Sequence, residues 1–194
     1  IMPIAINGSG TITGVSVGGL PDGIVDTDML AAGAVTAPKR GAGAILQVVQ
    51  TEKTDAFSFA PSSTPEFGTV CSATITPSST SSKILIMYSL NARSSAHNQG
   101  HGCRVLRGST PIGIGDANGS RTRVGMGTFF NSASYRHRCI SQVILDSPAT
   151  TSAITYNLQI GGETSATYYV NAGETDSAAY QQSATHLIVM EVAG

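Results

Sequence analysis

The sequence contains no tryptophan, and charged residues make up only 12% of its 194 positions. Its formal net charge is −1. Such a chain offers no basic field for nucleic acid or an anionic membrane, and neither is expected as a partner. No apolar run is long enough to cross a bilayer, so membrane insertion is not expected. The opening IMPIAING lacks a basic region followed by an apolar core, so no secretion signal is expected. The three cysteines, Cys71, Cys103 and Cys139, are odd in number and widely spaced. That pattern is not a disulfide framework and reads as free thiols of a reducing cytoplasm. Amphipathic helices of three turns are missing too, and so is any G-x-S-x-G nucleophile elbow. Gly113-Ile114-Gly115 is a lone G-x-G with no helix after it, which makes no phosphate cradle.

What remains is a chain that is 41% hydrophobic with 22 glycines. Its apolar residues recur at period two. In Lys83–Asn91 the residues Ile84, Ile86, Tyr88 and Leu90 share one face, with Leu85 and Met87 on the other. That strand is expected to be central and covered on both sides. Thr69–Ile75 precedes it, and the intervening TPSSTSS predicts a polar turn that makes the pair a long hairpin. Further strands are expected at Ile45–Gln50, Gly102–Arg107, Pro111–Gly115, Tyr135–Leu145, Ile154–Ile160, Thr167–Asn171 and Ala184–Val192. The last of these is apolar on both faces and is placed inside a sheet. Many short strands with turn signals predict an all-β, antiparallel β-sandwich or jelly-roll-like domain over 45–194.

Residues 1–44 differ. Ile4–Ile6 and Thr11–Val17 flank Asn7-Gly8-Ser9-Gly10 and predict a small hairpin. Beyond it, Ile24, Val25, Met29, Leu30 and Val35 are apolar in a segment too short and Gly-rich to bury them. Either they pack on the C-terminal domain or they meet copies of themselves. Winding chains together uses the glycines for close approach, and makes these five residues candidate trimer contacts in a short intertwined arm.

Several stretches resemble tail-fibre (receptor-binding) proteins of tailed bacteriophages. They are INGSGTITGVSVGGLPDG, VTAPKRGAGAILQVVQT, ITPSSTSSKILI, RVLRGSTPIGIGD, VILDSPATTSAITYNLQ and the closing HLIVMEVAG, in the family's order over nearly the whole chain. The resemblance implies a homotrimeric fibre of the virion, assembled in the bacterial cytoplasm. Its N-terminal arm would attach to other phage tail proteins, and its β-rich domain would recognise a bacterial surface glycan or protein. The competing expectation is a purely structural tail-tip, collar or head fibre without receptor binding. Neither reading needs a cofactor or an enzymatic activity.

Two connections without period two, Arg93–Gly100 and Asp116–Ser134, carry the candidate receptor-binding residues. These are His97, Asn98, Asn118, Arg121 and Arg123 for hydrogen bonds to sugar hydroxyls, with Phe129, Phe130 and Tyr135 to cover an apolar sugar face. Arg104, Arg107, Arg136 and Arg138 complete the densest basic set, suited to a binding surface or to contacts between subunits. His101 and Cys103, with His137 and Cys139, could gather a metal if their strands paired, but the spacing fits no known zinc pattern and no metal is expected. Glycan cleavage needs paired carboxylates. Asp116 with Asp146, or Glu163 with Glu174, are the pairs available. Cys71 and Cys139 are expected to be buried, the latter on a face with Val143 and Leu145.

Overall fold

The computed structural model describes residues 5–6, 12–13, 30–35, 39–96, 99–130, 137–173 and 181–194. The chain divides into two compact units, Ile1–Arg40 and Gly41–Gly194. In the first, β1 (Ala5–Ile6) pairs antiparallel with β2 (Ile12–Thr13). Of the five candidate trimer contacts, Leu30 and Val35 are exposed within this unit; Ile24, Val25 and Met29 lie outside the described residues. The second unit begins ahead of the expected boundary at Ala44. The Gly43 N–H donates to the Ala193 carbonyl, and the Ala193 N–H to the Ala44 carbonyl, which zips this stretch onto the end of the chain.

The second unit is an antiparallel β-sandwich. Its strands are β3 (Ile45–Lys53), β4 (Phe57–Phe59), β5 (Glu66–Ile75), β6 (Lys83–Ser94), β7 (Gln99–Arg107), β8 (Thr110–Ile112), β9 (Met126–Phe130), β10 (Arg138–Asp146), β11 (Ile154–Gly162), β12 (Tyr168–Val170) and β13 (Thr185–Val192). One sheet runs β3-β13-β6-β12-β4, with β10 on the other edge of β6. The second runs β5-β11-β7-β8, with β9 also on β7. Period two sets the inner faces. Ile84, Ile86, Tyr88 and Leu90 of β6, Leu187 and Val189 of β13, and Ile140 and Ile144 of β10 point inward. They meet Ile154, Tyr156, Leu158 and Ile160 of β11 and Cys103 and Val105 of β7 in one core. β13 lies between β3 and β6, inside its sheet as expected.

The expected hairpin is not formed. β5 pairs with β11 in the second sheet, whereas β6 is flanked by β13, β12 and β10 in the first. The turn between them therefore crosses from one layer to the other. Glu191 of β13, 1% exposed, explains why. Its carboxylate accepts from the Ser78 N–H (2.7 Å), the Ser78 hydroxyl (2.6 Å), the Ser82 hydroxyl (2.7 Å) and Gln47 Nε2 (2.6 Å). The serine run is thus a binding nest for a buried anion. Burial alone would raise the Glu191 pKa, but the hydrogen bonds from Ser78, Gln47 and Ser82 outweigh it and hold the carboxyl below its usual value.

Three further expectations change. Among the described residues the outward side of β6 is not fully covered, since Met87 is exposed. Cys139 is exposed rather than buried, because Cys139, Val143 and Leu145 occupy the outer side of β10 while Ile140 and Ile144 take the inner side. Phe129 and Phe130 belong to strand β9 rather than to a loop.

Candidate functional site

The two outer faces of the sandwich differ in chemistry. On the six-stranded sheet the register sets apolar residues in cross-strand rows. Val48, Met190, Leu85 and Leu145 form one row across β3, β13, β6 and β10. Ile188, Met87 and Val143 form the next. Val143 is 63% exposed, and Leu145 and Val48 are each 56% exposed. A hollow of about 410 Å³ opens here beside Met87, Val143 and Ile188. His186 stands at the rim, 4.0 Å from Glu52.

The outer face of the five-stranded sheet is polar. Thr74 hydrogen-bonds Thr155 across strands, Ser72 donates to Asn157, and Gln159 Nε2 donates to Thr69 Oγ1 at 3.1 Å. Toward one end lies a cleft. Gly161 and Gly102 sit opposite one another in the β11–β7 register and supply its floor. Val124 covers Gly102 so closely that a Cβ there would lie 2.6 Å from its methyl group. This contact draws the 113–125 connection over the sheet. Two adjoining hollows result, of about 450 and 540 Å³, which share Pro65, Phe67 and Thr122 in their walls.

Arginine dominates the larger hollow. The Arg104 guanidinium stacks 3.9 Å from the centre of the Phe67 ring, and its Nε donates to Gln159 Oε1 at 2.9 Å. Burial lowers its pKa, yet a guanidinium remains protonated at neutral pH. Arg121 Nη1 donates to Asn118 Oδ1 at 2.8 Å, and Arg123 Nε to the Gly115 carbonyl at 2.7 Å. Both arginines line the same wall as Arg104. The one carboxylate there is Glu66, which accepts from the Ser62 N–H and hydroxyl and from the Ser63 N–H. The Ser62 N–H bond leads in holding its pKa below the ordinary value.

Of the expected binding residues, Asn118, Arg121 and Arg123 therefore come together. Phe129 and Phe130 are described only as strand backbone, and His97, Asn98 and Tyr135 lie outside the described residues. Arg104 joins Asn118, Arg121 and Arg123 from the basic set expected on a binding surface or at subunit contacts, whereas Phe67 and Pro65 were not among the residues expected to bind. Arg107 is committed elsewhere: it bonds Asp146 at 2.9 Å across the two sheets, and the Tyr156 hydroxyl donates to the same carboxylate. Asp146 is thus held by structural partners. Arg136 and Glu174 lie outside the described residues.

The four metal candidates separate. β7, with His101 and Cys103, belongs to one sheet and β10, with Cys139, to the other, and these strands do not pair. His101 and Cys103 are buried, whereas His137 and Cys139 are exposed. Burial, helped by the positive charge of Arg138, lowers the His101 pKa to about 4. Burial raises the Cys103 thiol far above its usual value.

No family model matches the chain. No curated protein matches it either. Among solved structures, that of infectious bursal disease virus, Gx strain, aligns over 76% of this chain and 36% of its own, at 12% identity and a TM-score of 0.41. The VP2 subviral particle of infectious bursal disease virus aligns over 76% and 37%, at 13% identity and a TM-score of 0.41. The chain spans little more than a third of the length of these structures. A likeness this distant carries no functional inference, and the fold rests on the strand pairing above.

Proposed function

We propose that this chain is a tail-fibre component of a tailed bacteriophage, a homotrimer that attaches the particle to a bacterial surface glycan or protein. The observation that carries the reading is the contrast between the two outer faces. An apolar sheet face opposite a polar one suits contact with other copies of the chain. The polar face with its arginine-lined cleft is then left outward for the host. The sequence resemblance supports the same assignment. In this reading the arm at 1–44 joins other tail proteins, the fibre assembles in the host cytoplasm, and the role is binding rather than catalysis.

The apolar face taken alone also favours the second reading, a structural fibre whose partners all belong to the particle. Adsorption separates the two. Purified protein is mixed with cells of the phage's host and of a resistant relative. A receptor-binding fibre sediments with the host cells only and blocks infection. A structural fibre sediments with neither.

A further inference from the structure

We propose that the cleft under the 113–125 connection binds an anionic saccharide, through carboxylate or phosphate groups on the sugar. The inference rests on the outer face of the five-stranded sheet being the host-facing side, and names the ligand class that this face accepts.

Three guanidiniums, from Arg104, Arg121 and Arg123, line one hollow. Each is oriented by a neutral oxygen: the Gln159 amide, the Asn118 amide and the Gly115 carbonyl. These bonds orient the groups without neutralising their charge. Among the described residues no carboxylate forms an ion pair with any of the three. Glu66, the acid in the same wall, is turned into the 62–63 turn, where backbone and hydroxyl donors satisfy it.

A structural role would pair these arginines, as Arg107 is paired with Asp146 across the core. A trio held by neutral acceptors is instead prepared for an external anion, since a guanidinium presents its donors in a fork that matches carboxylate and phosphate. The adjoining hollow supplies the remaining chemistry. Pro65, Phe67 and Val124 over a glycine floor give an apolar wall for the C–H face of a sugar ring, with Glu163 the carboxylate lining that hollow, so the anionic group is assigned to the arginine side. With a whole-chain charge of −1, the attraction is local to this cleft. One open cleft binds weakly, and repetition around a trimer raises the total through avidity.

The test uses the full chain immobilised on a sensor. Three polymers are passed over it at low and high salt: polygalacturonate for carboxylate, a polyribitol-phosphate polymer for phosphate, and neutral dextran. The expected result is binding of one or both anionic polymers, weakened by salt, with dextran inert. The arm that binds names the anionic group. The R121A/R123A variant, whose side chains are exposed, should lose about tenfold or more in affinity with unchanged melting temperature. Adding R104A should abolish binding; because Arg104 also packs on Phe67, the double variant alone decides the matter if the triple variant fails to fold.

Failure of both anionic polymers, equal binding of dextran, or unchanged affinity in R121A/R123A would each overturn the inference. Duplex DNA bound as tightly with the same arginine dependence would also overturn it, showing a general polyanion surface. If the anionic polymers fail while the protein still sediments with host cells, the ligand class is wrong and the attachment role stands. If they bind while host cells do not, the cleft is real and the attachment role falls.

Discussion

The backbone N–H of Ser78 points at the carboxylate of Glu191, 2.7 Å away, across the layers of the sandwich. This contact, with the Ser78 and Ser82 hydroxyls, turns the chain from β5 in one sheet to β6 in the other.

Replacing Glu191 by glutamine should destabilise the fold by about 1–3 kcal/mol at neutral pH, since charge-assisted hydrogen bonds become neutral ones and one acceptor becomes a donor. The sign of the pH dependence follows from the lowered pKa. The carboxylate contributes its full stabilisation above the unfolded value near 4.5, and loses it as pH falls through the lower folded value. Urea unfolding at pH 7 and pH 3 should therefore show a gap between parent and E191Q that narrows in acid.

His101 acts in a different window. Its folded pKa of about 4 lies below the ordinary 6.5, so between these values the unfolded chain takes up a proton that the folded chain refuses. Stability should fall as pH drops from 6.5 to about 4, by on the order of 3 kcal/mol for a shift of that size. The H101F variant keeps a ring beside Tyr168, and should flatten this part of the stability–pH curve.

The apolar face of the six-stranded sheet should control assembly. Light scattering of the parent protein should give three times the 19.9 kDa chain mass. Val143→Asp places a charge in the middle of that face and should reduce the mass to that of one chain, with the β-rich circular dichroism spectrum kept. A parent protein that is monomeric at micromolar concentration would contradict this.

Thiol labelling should rank the cysteines by burial. Cys103 should stay unreactive until the protein unfolds, and Cys71, whose pKa burial raises to about 11, should react slowly at neutral pH. Cys139 shares the outer side of β10 with Val143, so it should label quickly in V143D and more slowly in the assembled parent.

Much of the fold was legible because period two is a direct record of which side of a strand is buried. Ile84, Ile86, Tyr88 and Leu90, and likewise Ile154, Tyr156, Leu158 and Ile160, all face the core as their spacing requires. Pairing partners were not legible, because alternation fixes a face and not a neighbour, and a polar turn between two strands suggests a hairpin that β5 and β6 do not form. Apolarity on both sides of β6 and β13 predicted cover for both faces, but could not say whether the outer cover lay within the chain. The site was half visible. Asn118, Arg121 and Arg123 stood out as polar groups on a connection. Phe67 did not, and Arg104 was visible only as one of a basic set, because only the β5-β11-β7 order brings the two together. Glu191 within HLIVMEVA carries the signal for the layer crossing: an acid in an apolar strand needs donors, and the serine-rich turn supplies them.

The most direct measurement is the position of the protein on the particle. Antibody raised against the folded chain, carrying gold, is imaged on intact virions by electron microscopy. The predicted result is gold at the distal end of the tail, with the same antibody blocking adsorption to host cells. Gold confined to the head or collar, or an absence of label on the particle, would contradict a receptor-binding tail fibre.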